Sequence, residues 1–282
     1  MDDPSGERIL TGVTRATLIV GDVQGDVDRL REALEPYPED DVDTVFLGDF
    51  FQGGEPGAGG GAAAARLAMT RRNARSVLGN HDLFLLVMVE RSRGGDQLGA
   101  WRTRDGLSIE DLWLSRRGDW ADLNAVTADS DLEAWLRALP FLVELEDGTL
   151  AQHTDDDRYA EIGDSVEAVN AAVRGWLATR GGAFQSLRYT IGRHGFDDPA
   201  RLQRYLAHFG VRRVVHGHTP HWDDVPISFH GGLAVGYDGR FSRYWGRAEG
   251  EEAGPIGATV ALLPPLPLRG TTGCQDPRAL TS

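Results

Sequence analysis

The chain has 282 residues and a formal net charge of −14, from 29 basic and 43 acidic side chains. All the basic residues are arginine, which excludes mechanisms that need a lysine amine, such as Schiff-base chemistry or a lysine-containing phosphate-binding loop. The negative charge also disfavours nucleic acid and anionic membranes as partners. It repels phosphorylated substrates unless bound metal cations reverse the sign locally.

The composition is that of a globular protein, and no segment predicts a membrane span. The longest apolar run, 83–89, is far shorter than the roughly 18 to 20 residues that a transmembrane helix needs. The N-terminus is acidic where a signal peptide is basic. The single cysteine, Cys274, excludes an internal disulfide and a cysteine-based zinc site. We therefore expect a cytoplasmic protein.

Strand-like runs alternate with helical patterns in the first third of the chain. In chain order, the pattern predicts a strand at 16–20, a helix at 27–34, a strand at 44–47, a helix at 62–74, a strand at 76–78 and a helix at 82–91. Such alternation is typical of α/β architecture, in which a functional site forms where the strands end.

A helical insertion and a second group of strands follow. Residues 94–139, rich in tryptophan and charged residues, predict a helical cap beside the site. After it, the sequence predicts strands at 141–145, 149–153, 211–215, 225–229, 233–237, 241–244 and 258–263, and helices at 165–180 and 199–209. We expect one domain over 1–263 and a C-terminal tail over 264–282.

Residue types that bind metals follow several of these strands. They are Asp22, Asp49, Asn80, His153 and His218. Taken singly, an aspartate after a strand-ending glycine is usually a helix cap, and a histidine is usually an ordinary hydrogen-bonded polar residue. A metal site explains all five together, because two divalent cations about 3.5 to 4 Å apart need a bridging carboxylate and further oxygen and imidazole ligands.

Four motifs resemble, in order, those of the calcineurin-like metallophosphoesterases, in particular the branch of phosphoprotein phosphatases and bacterial symmetrical diadenosine-tetraphosphate hydrolases. The motifs are GDVQG at 21–25, GDFFQGG at 48–54, GNHD at 79–82 and HGHTP at 216–220, with AQH at 151–153 as a weaker fifth. The resemblance implies a four-layered α-β-β-α sandwich, with two mixed sheets flanked by helices and a dinuclear metal site at the strand ends.

The resemblance also implies a role for individual residues. Ligands of the first metal would be Asp22 and Gln24, Asp49 would bridge both metals, and the second metal would be completed by Asn80, His153 and His218. His81 would protonate the leaving group or stabilise the transition state, so that His81 and Asp49 are the expected catalytic residues. Asn80 and His216 are expected to contact substrate, and Asp238 to lie near the site.

Three departures from the family pattern stand out. Gln24 replaces a histidine ligand, so the first metal would have a neutral amide or a bridging water there. In the second motif, Gln52 stands where phosphoprotein phosphatases have the aspartate that orients the catalytic histidine, and Gly53 replaces their phosphate-binding arginine. Candidates for a substitute arginine are Arg188, Arg193 and Arg158. The acidic run 155–157 after the histidine motif is interpreted as an exposed turn.

These observations favour a metal-dependent phosphoester hydrolase that uses two divalent ions, Mn²⁺ first and Fe, Zn or Ni as alternatives, and a metal-activated water. We expect a phosphomonoesterase that acts on a small phosphorylated metabolite or nucleotide. The enzymatic alternatives are symmetrical hydrolysis of dinucleoside polyphosphates and Ser/Thr phosphoprotein dephosphorylation. A further alternative is a degenerate ligand-binding or regulatory member with little turnover. No partnership with nucleic acid or membrane is expected.

Overall fold

The computed structural model describes residues 15–94, 101–245, 250, 252–264 and 266, and its strands form two sheets. The first sheet contains, in spatial order, β3 (Ala74–Ser76), β2 (Val42–Phe46), β1 (Ala16–Val20) and β9 (Val260–Leu262). The second contains β4 (Leu142–Glu144), β5 (Thr149–Gln152), β6 (Arg213–His216), β8 (Ala234–Gly236) and β7 (Ile227–Phe229).

Most neighbouring strands are parallel, which brings their carboxyl ends to one edge of each sheet. Strands β1, β2 and β3 are parallel, and β9 is antiparallel to β1. In the second sheet β5, β6 and β8 are parallel, while β4 and β7 are antiparallel to their neighbours. The segments that follow the parallel strands therefore leave each sheet on the same side, where polar side chains can meet.

The two sheets pack face to face through a buried apolar layer. That layer contains Ile19, Val45, Leu47, Val77, Val143, Leu145, Ala151, Val215, Val235 and Tyr237. In β1 the neighbours of Ile19, Leu18 and Val20, point to the opposite face and join the larger cluster packed against helices. Because both faces are covered, the central residues of the parallel strands, such as Leu18, Ile19 and Val20 of β1 and Val214 and Val215 of β6, are buried and apolar. The predicted sandwich of two mixed sheets flanked by helices is confirmed.

Ten α-helices lie in the described residues. They are α1 (Val27–Leu34), α2 (Gly60–Thr70), α3 (Asn80–Ser92), α4 (Ile109–Ser115), α5 (Trp120–Ala128), α6 (Ser130–Ala138), α7 (Val166–Leu177), α8 (Gly182–Leu187), α9 (Pro199–Phe209) and α10 (Ile256–Thr259). The bounds of α1 and α9 agree with the sequence prediction, because an aspartate caps each start: Asp26 accepts the N–H of Arg29, and Asp198 that of Ala200.

The predicted helical insertion contains α4, α5 and α6, while its residues 95–100 lie outside the described residues. Helix α5 is tied to α2 because the buried carboxylate of Asp122 accepts the backbone N–H of Ala62 at 2.8 Å. The predicted division into a domain over 1–263 and a tail over 264–282 stays a prediction, since 1–14 and 267–282 also lie outside. No helix in the described part of the chain is long and apolar enough to cross a membrane.

Two strand predictions near the C-terminus are corrected. Residues 241–244 form no strand, because side chains satisfy this backbone: the Asp26 carboxylate accepts the N–H of Arg243 at 2.9 Å, and the Ser242 hydroxyl donates to the carbonyl of Gly53 at 2.7 Å. The predicted strand at 258–263 begins instead as the short helix α10, and only Val260–Leu262 pairs with β1.

Candidate metal centre

Three buried side chains from different strand ends converge on one point. Ligand atoms of Asp49, His153 and His218 all lie within 4.8 Å of one another. The orientation of His153 is fixed because its Nδ1 lies 2.8 Å from the carbonyl oxygen of Leu47, to which it donates, so that Nε2 carries the lone pair. That Nε2 lies 3.4 Å from Asp49 Oδ2. An imidazole and a carboxylate thus face the same space, as metal ligands do.

Asn80, the first residue of α3, adds an amide to this group. One polar atom of its side chain lies 3.0 Å from His153 Nε2 and 2.7 Å from His218 Nδ1. The other ring nitrogen of His218, Nε2, is buried without a hydrogen-bond partner among the described residues. A carboxylate, an amide and two imidazoles that converge in a buried place form a donor set that fits a divalent cation.

Asp22 and Gln24 approach Asp49 from the loop after β1. The backbone N–H groups of Val23 and Gln24 donate to the carbonyl of Asp49 at 3.2 and 2.9 Å, which fixes the two loops side by side. Asp22 is held by the backbone N–H of His218, which donates to its Oδ1 at 2.9 Å. Gln24 and Asp49 have left-handed backbones, with φ of 49° and 53°. Such strained conformations concentrate at functional sites.

A second layer of contacts positions Asp49. The carboxylate of Asp82 accepts the backbone N–H groups of Asp49 at 3.0 Å, Phe50 at 2.8 Å and Gly79 at 2.9 Å. Gly79 is required by close approach, since a Cβ there would lie 2.1 Å from Asp49 Oδ1. The glycines of the GD and GNHD motifs thus allow the loops after β2 and β3 to meet.

His81 lies beside the cluster with its ring held on one side. Its backbone N–H donates to Asp49 Oδ1 at 2.8 Å, and its Nδ1 contacts the side-chain oxygen of Gln52. Its Nε2 is 3.7 Å from Asp49 Oδ2. Burial, followed by the nearby charges of His153 and Arg193, lowers the pKa of His81 to about 3. Gln52 therefore occupies the orienting position that the sequence predicted, with an amide oxygen in place of a carboxylate.

The carboxylates of this site are costly to ionise without cations. Burial raises the pKa of Asp49 to about 8, and the nearby carboxylate of Asp238 adds to the rise. Burial, Asp238 and Asp49, in that order, raise the pKa of Asp22 well above its ordinary value. Bound divalent cations would reverse this balance, because they stabilise the ionised form.

The cluster opens into a cavity of about 40 Å³. Its lining residues are Asp22, Gln24, Asp49, His81, Arg193, His218, Pro220, Asp238, Arg240 and Trp245. Of the arginines predicted as substitutes, Arg193 lines this cavity. Arg240 and Trp245 were missed by sequence reasoning. The signal that could have found Arg240 is its place just after the Asp238-Gly239 turn, which follows β8 at the predicted edge.

The other predicted substrate contacts, Asn80, Arg188 and His216, are not among the lining residues. The guanidinium of Arg188 lies over the ring of Tyr189, 4.5 Å from its centroid. His216 is buried in β6 next to the rings of Phe196 and Phe229, with centroid distances of 6.3 and 6.0 Å.

Arg158, the remaining candidate, is also outside the cavity lining, with Nε 3.4 Å from a carboxylate oxygen of Asp156. The interpretation of 155–157 as an exposed turn is wrong for its first two residues. Asp155 is buried and accepts from the Thr219 hydroxyl at 2.6 Å. Asp156 is buried and lies 3.3 Å from Arg201.

The sequence profile of the calcineurin-like phosphoesterase family matches residues 16–222, which include all the motifs of the metal cluster. This chain is a calcineurin-like phosphoesterase. Family membership makes it a phosphoric ester hydrolase of the metal-binding type. No curated protein matches the phosphoesterase in sequence.

Solved structures of other phosphatases share its fold. A cold-active protein-tyrosine phosphatase of a psychrophilic Shewanella species is 17% identical, with a TM-score of 0.57, over 89% of this chain and 81% of that one. A serine/threonine phosphatase of Saccharomyces cerevisiae is 11% identical, with a TM-score of 0.52, over 92% of this chain and 82% of that one. At these identities the likeness establishes the fold.

One departure in the phosphoesterase has a direct structural explanation. Gly53 has φ of +107°, and a Cβ on it would lie 2.3 Å from Cε3 of Trp245. The indole of Trp245 therefore fills the space that a side chain at position 53 would need. A side chain at position 53 therefore cannot reach an anion in this cavity, and the arginines that line it are Arg193 and Arg240.

Proposed function

We propose that this phosphoesterase hydrolyses phosphomonoesters of small metabolites or nucleotides with two divalent metal ions. The observation that carries the proposal is the meeting, in one small cavity, of the buried cluster around Asp49 with the ring of His81 and the guanidinium of Arg193. Metal-dependent phosphoester hydrolysis requires metal ligands, a group that carries a proton and a group that binds the phosphate anion.

The residues present fit two metal positions that share Asp49. The first would be held by Asp22, Gln24 and Asp49, and the second by Asp49, Asn80, His153 and His218. Mn²⁺ suits both carboxylate and imidazole ligands, and Fe, Zn or Ni are alternatives. When bound, divalent cations supply Lewis acidity towards the phosphoryl oxygens and activate water as the nucleophile.

His81 is placed to carry the proton. Because Nδ1 faces the side-chain oxygen of Gln52, to which it donates, the lone pair of Nε2 remains free on the cavity side. In the metal-free protein burial lowers the pKa of the ring, so that Nε2 carries no proton at neutral pH. Nε2 accepts a proton as water attacks phosphorus and passes it to the departing alkoxide, so that an alcohol and inorganic phosphate leave.

Arg193 and Arg240 are the groups that bind the phosphate oxygens. The guanidinium of Arg193 is anchored because its Nη1 donates to the carbonyl of His218. Arg240 is anchored through Nε, which lies 3.3 Å from the carbonyl of His221. Their remaining N–H groups provide positive charge at the mouth of an acidic site, which is the usual way to bind a phosphate without lysine.

The narrow cavity supports a small substrate. With a volume of about 40 Å³ and Trp245 at its edge, it admits a phosphoryl group more readily than a folded phosphoprotein segment. The net charge of −14 and the absence of an arginine at position 53 also argue against an acidic phosphoprotein as the substrate.

Turnover of the purified protein with Mn²⁺ tests the proposal. We expect phosphate release from p-nitrophenyl phosphate and nucleoside monophosphates to exceed cleavage of diadenosine tetraphosphate or a phosphoserine peptide at equal concentration. Asp49→Asn should abolish release, while Arg174→Ala, at an exposed position of α7, should leave it unchanged. Faster cleavage of the dinucleotide or the peptide would overturn the substrate class. Two bound metals without turnover of any phosphoester would overturn the enzymatic function.

A further inference from the structure

Asp238 is a buried carboxylate in the metal-side cavity that the proposed ligand set does not use. It lies two residues beyond the end of β8 and is only 2% exposed. It lines the same cavity as Asp22, Gln24 and Asp49. No sequence motif marks Asp238 as a metal ligand, because a single Asp-Gly pair after a strand is an ordinary turn signal.

The backbone fixes Asp238 next to Asp22. At Gly21 the chain packs directly on the carbonyl of Tyr237, since a Cβ on Gly21 would lie 2.0 Å from that oxygen. Thr259 then binds both segments: its carbonyl accepts the N–H of Gly21 at 3.0 Å, and its hydroxyl accepts the N–H of Gly239 at 3.0 Å. The residues that follow Gly21 and Tyr237 are therefore held side by side.

The carboxylate of Asp238 lacks a strong partner. Among the described residues it accepts one hydrogen bond, from the backbone N–H of Arg240 at 3.3 Å. It lines one cavity with the carboxylates of Asp22 and Asp49 and with the guanidinium groups of Arg193 and Arg240. Three buried carboxylates that share a cavity can be ionised together only if cations lie close to them.

A second group in the cavity is also unpartnered. The side chain of Gln24 is 6% exposed, and no residue in the described part of the chain forms a hydrogen bond with its amide. An amide that lines the cavity and forms no hydrogen bond within the protein is available to a ligand there. An amide oxygen beside three carboxylates is a donor set for a cation.

We propose that Asp238 is a ligand of the metal ion held by Asp22 and Asp49, and that with Gln24 it makes this position an all-oxygen site. The inference rests on the dinuclear centre of the proposed function and adds a ligand and a metal preference to it. An all-oxygen site suits hard cations such as Mn²⁺ and Mg²⁺, whereas the imidazoles of His153 and His218 suit Zn²⁺, Fe²⁺ or Ni²⁺. The two positions therefore take different metals.

Metal analysis of the full chain tests this assignment. The metal-free protein is incubated with one equivalent of Zn²⁺ and an excess of Mn²⁺, and the retained metals are measured after desalting. We expect one Zn²⁺ and one Mn²⁺ in the wild type, and one Zn²⁺ with Mn²⁺ bound at least about tenfold more weakly in Asp238→Asn. Asp122→Asn is the matched control, because Asp122 is another buried carboxylate that lies outside the cavity lining, and it should retain both metals.

Thermal melting in EDTA separates ligation from a structural role. Asp238→Asn removes one of three repelling carboxylates, so without metal it should melt at or above the temperature of the wild type. Added Mn²⁺ should raise its melting temperature less than that of the wild type. Two outcomes would overturn the inference. In the first, Asp238→Asn retains Mn²⁺ with unchanged affinity. In the second, it melts below the wild type in EDTA and loses both metals equally. Neither readout depends on turnover, so a wild type that binds both metals and hydrolyses nothing would overturn only the proposed function.

Discussion

The carboxylate of Asp82 lies behind Asp49 and accepts its backbone N–H at 3.0 Å. The same carboxylate accepts the N–H groups of Phe50 and Gly79, so one side chain joins the loop after β2 to the start of α3. Asp82 does not line the cavity. It acts by holding the backbone of Asp49 in place, and the geometry of the proposed metal centre depends on it.

Asp82→Ala should therefore destabilise the protein and disperse the metal cluster. Three buried N–H groups lose their acceptor, and each unsatisfied group costs about 1 to 3 kcal/mol. We expect the free energy of unfolding in urea to fall by at least about 3 kcal/mol. Asp223→Ala, at a side chain that is 60% exposed, should change it by less than about 0.5 kcal/mol. Equal effects of the two substitutions would contradict this role of Asp82.

Gly79→Ala should distort the centre through a direct clash. The added methyl group would lie 2.1 Å from Asp49 Oδ1, which forces the bridging carboxylate to move. We expect a loss of about 1 to 3 kcal/mol in stability and a loss of metal affinity. Gly175→Ala in α7 is the matched control, since nothing lies within 4 Å of its Cβ position. It should stabilise the helix by up to about 1 kcal/mol. Melting curves and Mn²⁺ titrations of both variants check the contrast.

His81→Asn should slow turnover without emptying the metal centre. The ring provides the proton carrier but is not among the proposed ligands, so kcat should fall by about 10² to 10⁴ while metal content stays at the wild-type level. Gln52→Ala should produce a smaller fall, because it removes only the oxygen that orients Nδ1. A His81→Asn enzyme with full activity, or one that has lost its metals, would show that the role of His81 is assigned incorrectly.

The stability of the metal-free protein should fall as pH rises. Burial raises the pKa of Asp49 to about 8 and that of Asp82 to about 7 in the folded state, while the unfolded chain releases the same protons near pH 4. The buried histidines oppose this below about pH 6.5, because burial lowers the pKa of His81 and His218 and the unfolded chain holds their protons there. Between about pH 6.5 and 8 the folded state binds more protons, and raising the pH favours unfolding. Melting temperatures in EDTA should decrease from pH 6.5 to pH 8. Mn²⁺ binding should strengthen over the same range, because the ligands must lose their protons. A melting temperature that rises with pH in EDTA would contradict these shifts.

Arg193→Ala should weaken substrate binding. Arg193 lines the cavity and is proposed to bind the phosphate oxygens. Its removal should cost one charge-assisted hydrogen bond, worth about 1.5 kcal/mol or more. KM for p-nitrophenyl phosphate should therefore rise by at least about tenfold. Inorganic phosphate should inhibit this variant correspondingly less. Arg174→Ala, on the exposed face of α7, provides the control and should have the KM of the wild type. Identical KM values for both variants would show that another group binds the phosphate.

The sequence by itself determined the alternation of strands and helices and the strand edge at which polar side chains meet. Each parallel strand is an apolar run that ends in a short polar motif, and parallel strands in one sheet must end on the same side. This geometric necessity is why Asp22, Asp49 and Asn80 could be placed at one edge from the strand pattern, whereas their roles as metal ligands came from the family resemblance. The strand prediction at 241–244 failed because the alternation of residues there cannot reveal that the Asp26 carboxylate, far away in sequence, satisfies the backbone.

Only the tertiary structure decided which groups surround those ligands. Arg193 was one of three arginines predicted to bind phosphate. It lines the cavity and Arg188 does not, because α8 and the loop after it place Arg188 over the ring of Tyr189. Arg240 and Trp245, which the sequence did not single out, meet the cavity because the segment after β8 packs against the loop after β1. Asp238, which was expected near the site, lies on the same segment. Asp155 is likewise buried beside a segment that is distant in sequence, where its carboxylate accepts a hydrogen bond from the Thr219 hydroxyl. A periodic pattern encodes which face of an element is apolar, but contacts between distant side chains depend on how those elements pack, and local sequence does not specify that.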